Sequence, residues 1–364
     1  MSTPRSILVT GATGLIGRRV VWSLLRRTSA PIVVLVRDPA RWQSIAATLG
    51  AHASRVTAVR ADLTLPALGL DLRTITRCLG TPSVLVHSAG DIVFSRSLAD
   101  SRRVNVDGTR HVVELAYSFP DIRLVQVSTA FAVGRRTGFI PDGADAAGEG
   151  WVNAYEQSKH EAELIVRDSD LEYVIARPST VVCDDVRGAV TQVNAVHRAL
   201  RLYHAGLASM MPGTEDTPVD VIPADWVADA IARLSLTRDR VGRTVHLCAG
   251  DGALRLGALL DRTYALWSRD TSWRRRHVAR PALSNLDTYE LFERSVDLVG
   301  DARLKRITRS LSHFVPQLAL PKRFDTSLAR ELLGDAAPPV ATYWERMLEW
   351  LLASNWSAAL PEAA

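Results

Sequence analysis

The sequence predicts an α/β fold, a doubly wound parallel sheet with a smaller, mostly helical C-terminal lid. Three observations carry the prediction. Short β-branched runs alternate with stretches of helical spacing through the first half, a glycine-rich turn directly follows the first run, and the alternation weakens after about Val182. Parallel strands covered by helices on both faces read as continuous apolar runs. Ile7-Leu8-Val9, Ile32 to Val36, Val56 to Val59, Val84-Leu85-Val86, Leu124 to Val127 and Tyr173 to Ala176 are such runs, and right-handed crossovers would join them. Residues 1–182 are therefore assigned to the main domain. Asp220-Val221-Ile222-Pro223, the helical stretch Asp225 to Leu234 and the run Thr244 to Leu247 read as a segment, 220–250, that returns to it. Residues 183–219 and 251–364 would form the lid. Near its end, apolar residues recur at helical spacing from Trp344 to Leu352, read as a helix packed on the lid. A helix lying on a membrane would carry arginines on its polar face, where Glu345 and Glu349 stand instead.

With 364 residues, 47% of them hydrophobic, the chain can bury one large core or two small ones. It has no run of eighteen or more uncharged apolar residues, and its first residues pass straight into a strand-like run. A cytoplasmic protein without a membrane span is expected. Cys78, Cys183 and Cys248 are scattered among apolar and small neighbours without metal-ligand spacing, so neither a disulfide nor a metal is expected. The net charge of +5 comes almost wholly from arginine, since Lys159, Lys305 and Lys322 are the only lysines. Clusters such as Trp273 to His277 and Arg303 to Arg309 read as solvated helix faces, and no nucleic-acid partner is expected; a phosphate-bearing substrate is the other reading that would use them.

The turn Thr10-Gly11-Ala12-Thr13-Gly14-Leu15-Ile16-Gly17 lies between the first strand and a helix over Arg18 to Leu25. In that context Gly11 permits a tight turn, Gly14 lets the backbone approach a pyrophosphate, and Gly17 lets helix and strand pack closely, with Thr13, Leu15 and Ile16 in the same turn. A dinucleotide site follows. The second strand is followed by Arg37, where NAD-selective proteins usually place a carboxylate for the ribose 2′-hydroxyl, so NADP(H) is expected over NAD(H). Arg18 and Arg41 are candidate helpers. Asp38 would serve a ribose if the register slipped by one. Asp62-Leu63 would lie against the adenine, and Ser88-Ala89-Gly90 along the dinucleotide; ordinary surface loops would show the same spacing.

Asn153 to Glu161 has helical character, which puts Tyr155 and Lys159 on one face. A phenol with an ordinary pKa near ~10 is a poor acid at neutral pH, and a neighbouring ammonium is expected to lower that value. A flexible lysine can bridge a phenol and ribose hydroxyls where a planar guanidinium would not. Ser128 and Thr129 end a predicted strand at its carboxyl edge, where open α/β sheets bind ligands; Thr129 is the candidate to hydrogen-bond the reacting oxygen, with Ser128 the alternate. The segment from Arg135 to Trp151, rich in Gly, Ala and Asp, would form part of a substrate gate, and a mobile surface loop is the other reading.

Taken in order, Gly11/Gly14/Gly17, Asp62-Leu63, Asn105-Val106-Asp107-Gly108-Thr109, Ser128-Thr129, Tyr155-x-x-x-Lys159 and Arg177-Pro178-Ser179 resemble an extended short-chain dehydrogenase/reductase over about residues 6–250. Leu35-Val36-Arg37, Val127 to Ala130, and Tyr155 to Lys159 followed by Ala162-Glu163 are most similar to the fatty-acyl-CoA reductase and thioester-reductase branch. His87-Ser88-Ala89-Gly90 departs from the His-x-Ala-Ala often found there, and weakens that assignment more than it weakens cofactor binding. The resemblance implies a Rossmann-type sheet, with Thr129, Tyr155 and Lys159 catalytic. It also implies that Lys159 touches the cofactor, that Asn105 braces the helix behind the site, and that Pro178-Ser179 meet the nicotinamide. Hydride transfer to a carbonyl would follow, with a CoA- or carrier-protein-bound acyl group as one substrate class and an aldehyde or ketone as another. A sterol-type alcohol dehydrogenase, a nucleotide-sugar epimerase or dehydratase, and a non-catalytic NADP sensor share the pattern, although a sensor would typically lose Tyr155 or Lys159. A homodimer is compatible with this reading.

Overall fold

The computed structural model describes residues 5–357 apart from 72, 74–81, 147, 238–241, 300, 301, 303, 304, 306, 307, 309–311 and 313. Cys78 and most of the basic run at 303–309 therefore lie outside the described residues. Seven parallel strands form the central sheet: β1 (Ile7–Thr10), β2 (Ile32–Val36), β3 (Val56–Arg60), β4 (Val84–His87), β5 (Arg123–Val127), β6 (Glu172–Pro178) and β7 (Arg243–Leu247). Their spatial order is β7-β6-β5-β4-β1-β2-β3. Each expected apolar run is thus a strand, longer by one to three residues at most. The chain leaves β1 toward one edge and resumes at β4 toward the other, so a switch point opens between β1 and β4 at their carboxyl ends.

Period-two alternation sorts the strand residues onto two faces. Ile7, Val9, Val34, Val86 and Val125 pack with helices α1 (Leu15–Arg27) and, near the C-terminus of the sheet, Ala224–Leu236. Leu8, Val33, Leu85 and Leu124 face the other way, toward α3 (Leu98–Ala116), with α2 (Pro39–Ala46) lying between β2 and β3 in the chain. α4 (Ala154–Arg167) runs beside α3, contributing Val166 to that second face. Both faces of the sheet are covered, which is why its strands carry so little polar sequence.

A second apolar core gathers Val182 and Cys183 with α5 (Ala195–His204), α7 (Leu256–Trp267) and α10 (Trp344–Ala353), the returning helix Ala224–Leu236 being α6. Trp267, Tyr343, Trp344 and Leu351 are fully buried in it, and the Trp344 indole donates to Thr263 Oγ1 at 3.0 Å. The tail does not stay in one place. Lys322–Phe324 pairs with Gly138–Ile140, and α9 (Ser327–Leu333, after α8 at Leu286–Val299) then sets Ala329 and Leu333 into the first core. Val221–Pro223 likewise pairs with Thr180–Cys183 outside the main sheet before α6 returns. Among the described residues, no helix is long and apolar enough to cross a membrane. Cys183 and Cys248 are buried free thiols.

Candidate active site

The first turn is built by close backbone approaches. Gly11 has a φ of +73°, and a Cβ there would stand 2.5 Å from Ala89 N; a Cβ on Gly17 would stand 2.2 Å from Gly11 O. Gly14 differs, with a φ of −83° and a would-be Cβ meeting only Gly11 O at 3.3 Å. An alanine there would need Gly11 O to give by only a few tenths of an ångström. Gly14 caps α1 without any side-chain hydrogen bond, and the first turn holds no acidic residue. Such a helix start offers its amide groups and positive dipole end to a phosphate, so the turn fits a dinucleotide.

His87 locks this turn to the next one. Thr109 Oγ1 donates to the Asn105 carbonyl at 2.6 Å, so His87 Nε2 donates to Thr109 Oγ1 at 3.2 Å, and Nδ1 accepts from Thr10 Oγ1 at 2.7 Å. Ala89 N in turn donates to Thr10 Oγ1 at 3.2 Å. Complete burial and the nearby Lys159 push His87 down to about 3, so it stays neutral and structural.

A cleft of about 790 Å³ opens at the carboxyl ends of the strands. Gly14, Leu15, Ile16, Gly17, Ser88, Ala89 and Gly90 form one part of its wall; Ser128, Thr129, Tyr155, Lys159, Pro178 and Ser179 form another. Gly11, Thr13, Arg37, Asp62, Leu63 and Asn105 lie outside these walls. Arg37 is exposed at the end of β2, and its charge acts on Asp62, whose carboxylate caps its own turn by accepting from Thr64 N at 2.9 Å and Thr64 Oγ1 at 2.8 Å. Asp38 is the N-cap of α2, its Oδ1 accepting from Ala40 N at 2.9 Å and Arg41 N at 3.2 Å. Arg18 donates to Thr191 Oγ1 at 2.6 Å, which spends one of its nitrogens on the lid side.

Asn105 is the brace. Its Oδ1 accepts from Asp91 N at 2.7 Å, and its Nδ2 donates to Asp91 O at 3.0 Å and Ser158 Oγ at 2.9 Å. That ties α3 and the loop after β4 to α4, between Tyr155 and Lys159 in the chain. The Thr129 side chain accepts from Phe131 N at 3.3 Å and stands close enough to Tyr155 to act on its phenol, and the Phe94 ring lies 5.3 Å from the Tyr155 ring. Lys159 Nζ donates to the Val127 carbonyl at 2.7 Å.

The electrostatics differ from the sequence expectation at one point. Burial pushes the Tyr155 phenol up to about 12, the Thr129 hydrogen bond opposes the rise, and the Glu156 charge adds to it. The expected lowering by a lysine is not among the causes that act on the phenol. Desolvation also depresses the ammonium of Lys159 to about 8, against the pull of Glu163. The segment from Arg135 to Trp151 also departs from expectation: among its described residues none lines the cleft, and Gly138–Ile140 is pinned by pairing with Lys322–Phe324. The cleft wall instead uses residues with no sequence signal, including the loop from Ile92 to Ser95, Gln192 to Val196, Phe314 and Gln317. Glu156 is the one that could have been suspected, since it directly follows Tyr155; burial raises its carboxyl to about 7.

A seven-stranded switch-point sheet with this turn and this Thr/Tyr/Lys grouping defines an NAD(P)-dependent reductase of the extended short-chain class. The chain belongs to the NAD-binding family described as male sterility protein, whose model matches residues 9–231. It is 31% identical over 252 residues to an isonitrile lipopeptide synthase of Streptomyces coeruleorubidus, covering 64% of this chain but 17% of that protein. It is 22% identical over 275 residues to a fatty acyl-CoA reductase of Drosophila melanogaster, covering 62% of this chain and 53% of that one. Among solved structures, the terminal R domain of the myxalamid PKS-NRPS pathway superposes with a TM-score of 0.77 at 25% identity, covering 99% of this chain and 93% of that one. The R domain of a Mycobacterium tuberculosis nonribosomal peptide synthetase shares the fold, with a TM-score of 0.66 at 21% identity over 97% of this chain and 93% of its own.

Proposed function

We propose that this chain is an NADPH-dependent thioester reductase that releases an acyl group from a CoA or carrier-protein thiol as the aldehyde. The observation that carries the reading is that Thr129, Tyr155 and Lys159 line one cleft together with the Gly14 turn. The likeness to the R domains and the fatty acyl-CoA reductase supports the thioester class. Bound NADPH supplies the hydride. Tyr155, its phenol kept protonated by burial, is the general acid toward the carbonyl oxygen, and Thr129 orients that oxygen by donating to it. Lys159 presents an ammonium on the same helix face for the phenol and the ribose hydroxyls. The resulting hemithioacetal breaks its carbon–sulfur bond, leaving an aldehyde and a free thiol. Exposed Arg37, with Asp38 committed to capping α2, favours the 2′-phosphate of NADPH. Pro178 and Ser179 receive the nicotinamide end. Residues around the second core, which contribute Gln192 to Val196 and Arg198 to the cleft, bind the acyl and pantetheine part.

The test is NADPH consumption against acyl-CoA thioesters, aldehydes, ketones and sugar nucleotides, with Tyr155→Phe in parallel. Thioester turnover with free thiol released, and loss of about 10²-fold or more in kcat for Tyr155→Phe with NADPH binding retained, is expected. Turnover of sugar nucleotides alone would end the thioester assignment.

A further inference from the structure

Behind the cleft lies a second set of buried ionisable groups that the proposed chemistry does not use. Glu156 follows Tyr155 in the first turn of α4 and is 2% exposed; Lys322, in the strand paired with Gly138–Ile140, is 4% exposed. Gln317 joins them. Its Nε2 donates to Glu156 Oε1 at 2.6 Å, and its Oε1 accepts from Lys322 Nζ at 3.0 Å. Glu156 is completed by Asn153 Nδ2 at 3.0 Å and Val152 N at 3.2 Å, and Lys322 by the Leu320 carbonyl at 3.3 Å. Burying a carboxylate and an ammonium is unfavourable unless each finds partners: the Gln317 bond to Glu156 spans 161 residues of chain, and Lys322 is held within its own segment by Gln317 and the Leu320 carbonyl. Phe314 and Gln317, on the C-terminal segment so anchored, are themselves cleft wall, as is Glu156. Arg135 and Glu149 also act on Lys322, and Tyr155 feels the Glu156 charge.

We propose that Glu156, Gln317 and Lys322 form a buried strut that fixes the C-terminal cleft wall against the first turn of α4 and so sets the position of the Tyr155 phenol. This rests on Tyr155 as the proton donor. The three are positioning residues. Their effect falls on kcat, because a phenol displaced by a fraction of an ångström loses proton transfer before the cofactor turn, built from β1 and β4, loses NADPH.

The experiment measures kcat and KM for an acyl thioester, the NADPH dissociation constant and Tm for Gln317→Met, Lys322→Met, Glu156→Gln/Lys322→Met and Tyr155→Phe. Gln317→Met keeps volume, adds no charge and removes both bonds; it is expected to lower kcat about tenfold or more while NADPH binding stays within about twofold. Lys322→Met removes the cation that favours the Glu156 carboxylate, which burial already raises to about 7, and should lose more; the double variant, which leaves a neutral amide to accept from Gln317, should recover kcat to within about threefold of Gln317→Met. A purely structural role would move Tm and leave kcat alone below the transition. Should Lys322→Met fail to fold, Gln317→Met decides. If it is folded with kcat within about twofold of the parent while Tyr155→Phe is inactive, the strut is overturned and the acid assignment stands. If Tyr155→Phe turns over normally, both fall.

Discussion

At the scale of single residues, charge and exposure separate cofactor choice from chemistry. Arg37 is exposed at the end of β2 and makes no described hydrogen bond that a substitution would break, so Arg37→Ala tests recognition without disturbing the fold. A 2′-phosphate contact predicts that NADPH binding weakens about 10-fold or more and NADH binding barely changes, read from dissociation constants for both. Equal losses would refute NADPH selection by this residue. Lys159 is pulled down to about 8 by burial. Its ammonium is therefore present below that pH and lost above it, so kcat/KM for carbonyl reduction should fall as pH rises through about 8. The Tyr155 phenol, at about 12, remains an acid throughout that range. A pH–rate profile that is flat to about pH 10 would show that the Lys159 charge is not used. Tyr155, Lys159 and Thr129 were legible from spacing and strand-end position, because each rests on a local pattern. The direction of the phenol's shift was not, since desolvation is a property of everything packed around it.

At the scale of elements, the glycine turn divides into positions that the fold requires and one that it does not. An alanine methyl at Gly17 would stand 2.2 Å from Gly11 O, so the turn must move. Gly17→Ala is expected to cost about 1–3 kcal/mol of stability, seen as a lower Tm, together with NADPH binding. At Gly14 the methyl meets Gly11 O at 3.3 Å with an ordinary φ of −83°. Gly14→Ala should therefore keep Tm close to the parent and lose NADPH binding about 10-fold or more, because the methyl occupies the approach to the phosphates. Equal loss of Tm in both variants would show that Gly14 too is only a packing glycine. The strands were readable because burial on both faces leaves unbroken β-branched runs. The Gly, Ala and Asp content of Arg135 to Trp151 suggested a gate or a mobile loop, whereas the pairing of Gly138–Ile140 with Lys322–Phe324 is a long-range event with no local signal.

At the scale of the whole molecule, a buried ion pair ties the catalytic helix to the sheet. Arg177 Nε and Nη2 donate to the two carboxylate oxygens of Glu163 at 2.8 and 2.6 Å, with neither side chain exposed. Arg177 Nη1 donates to Ala144 O at 2.7 Å, so the same guanidinium also holds the loop after Gly138–Ile140. Glu163→Gln strands that cation and is expected to lower unfolding free energy by about 3–5 kcal/mol in a denaturant titration. A loss below about 1 kcal/mol would mean that neighbouring groups or water take over. The sequence by itself determined the seven parallel strands and the switch-point turn, and brought Thr129, Tyr155 and Lys159 forward as candidates that the fold sets on one cleft wall, because strands, turns and helix faces follow from periodicity and short spacing along the chain. Tertiary structure alone decided the rest: that the tail splits between two cores, that Gly138–Ile140 pairs with Lys322–Phe324, and that Gln317 bonds Glu156 on α4. Those outcomes depend on which distant surfaces bury one another, and burial between distant segments leaves no period to read.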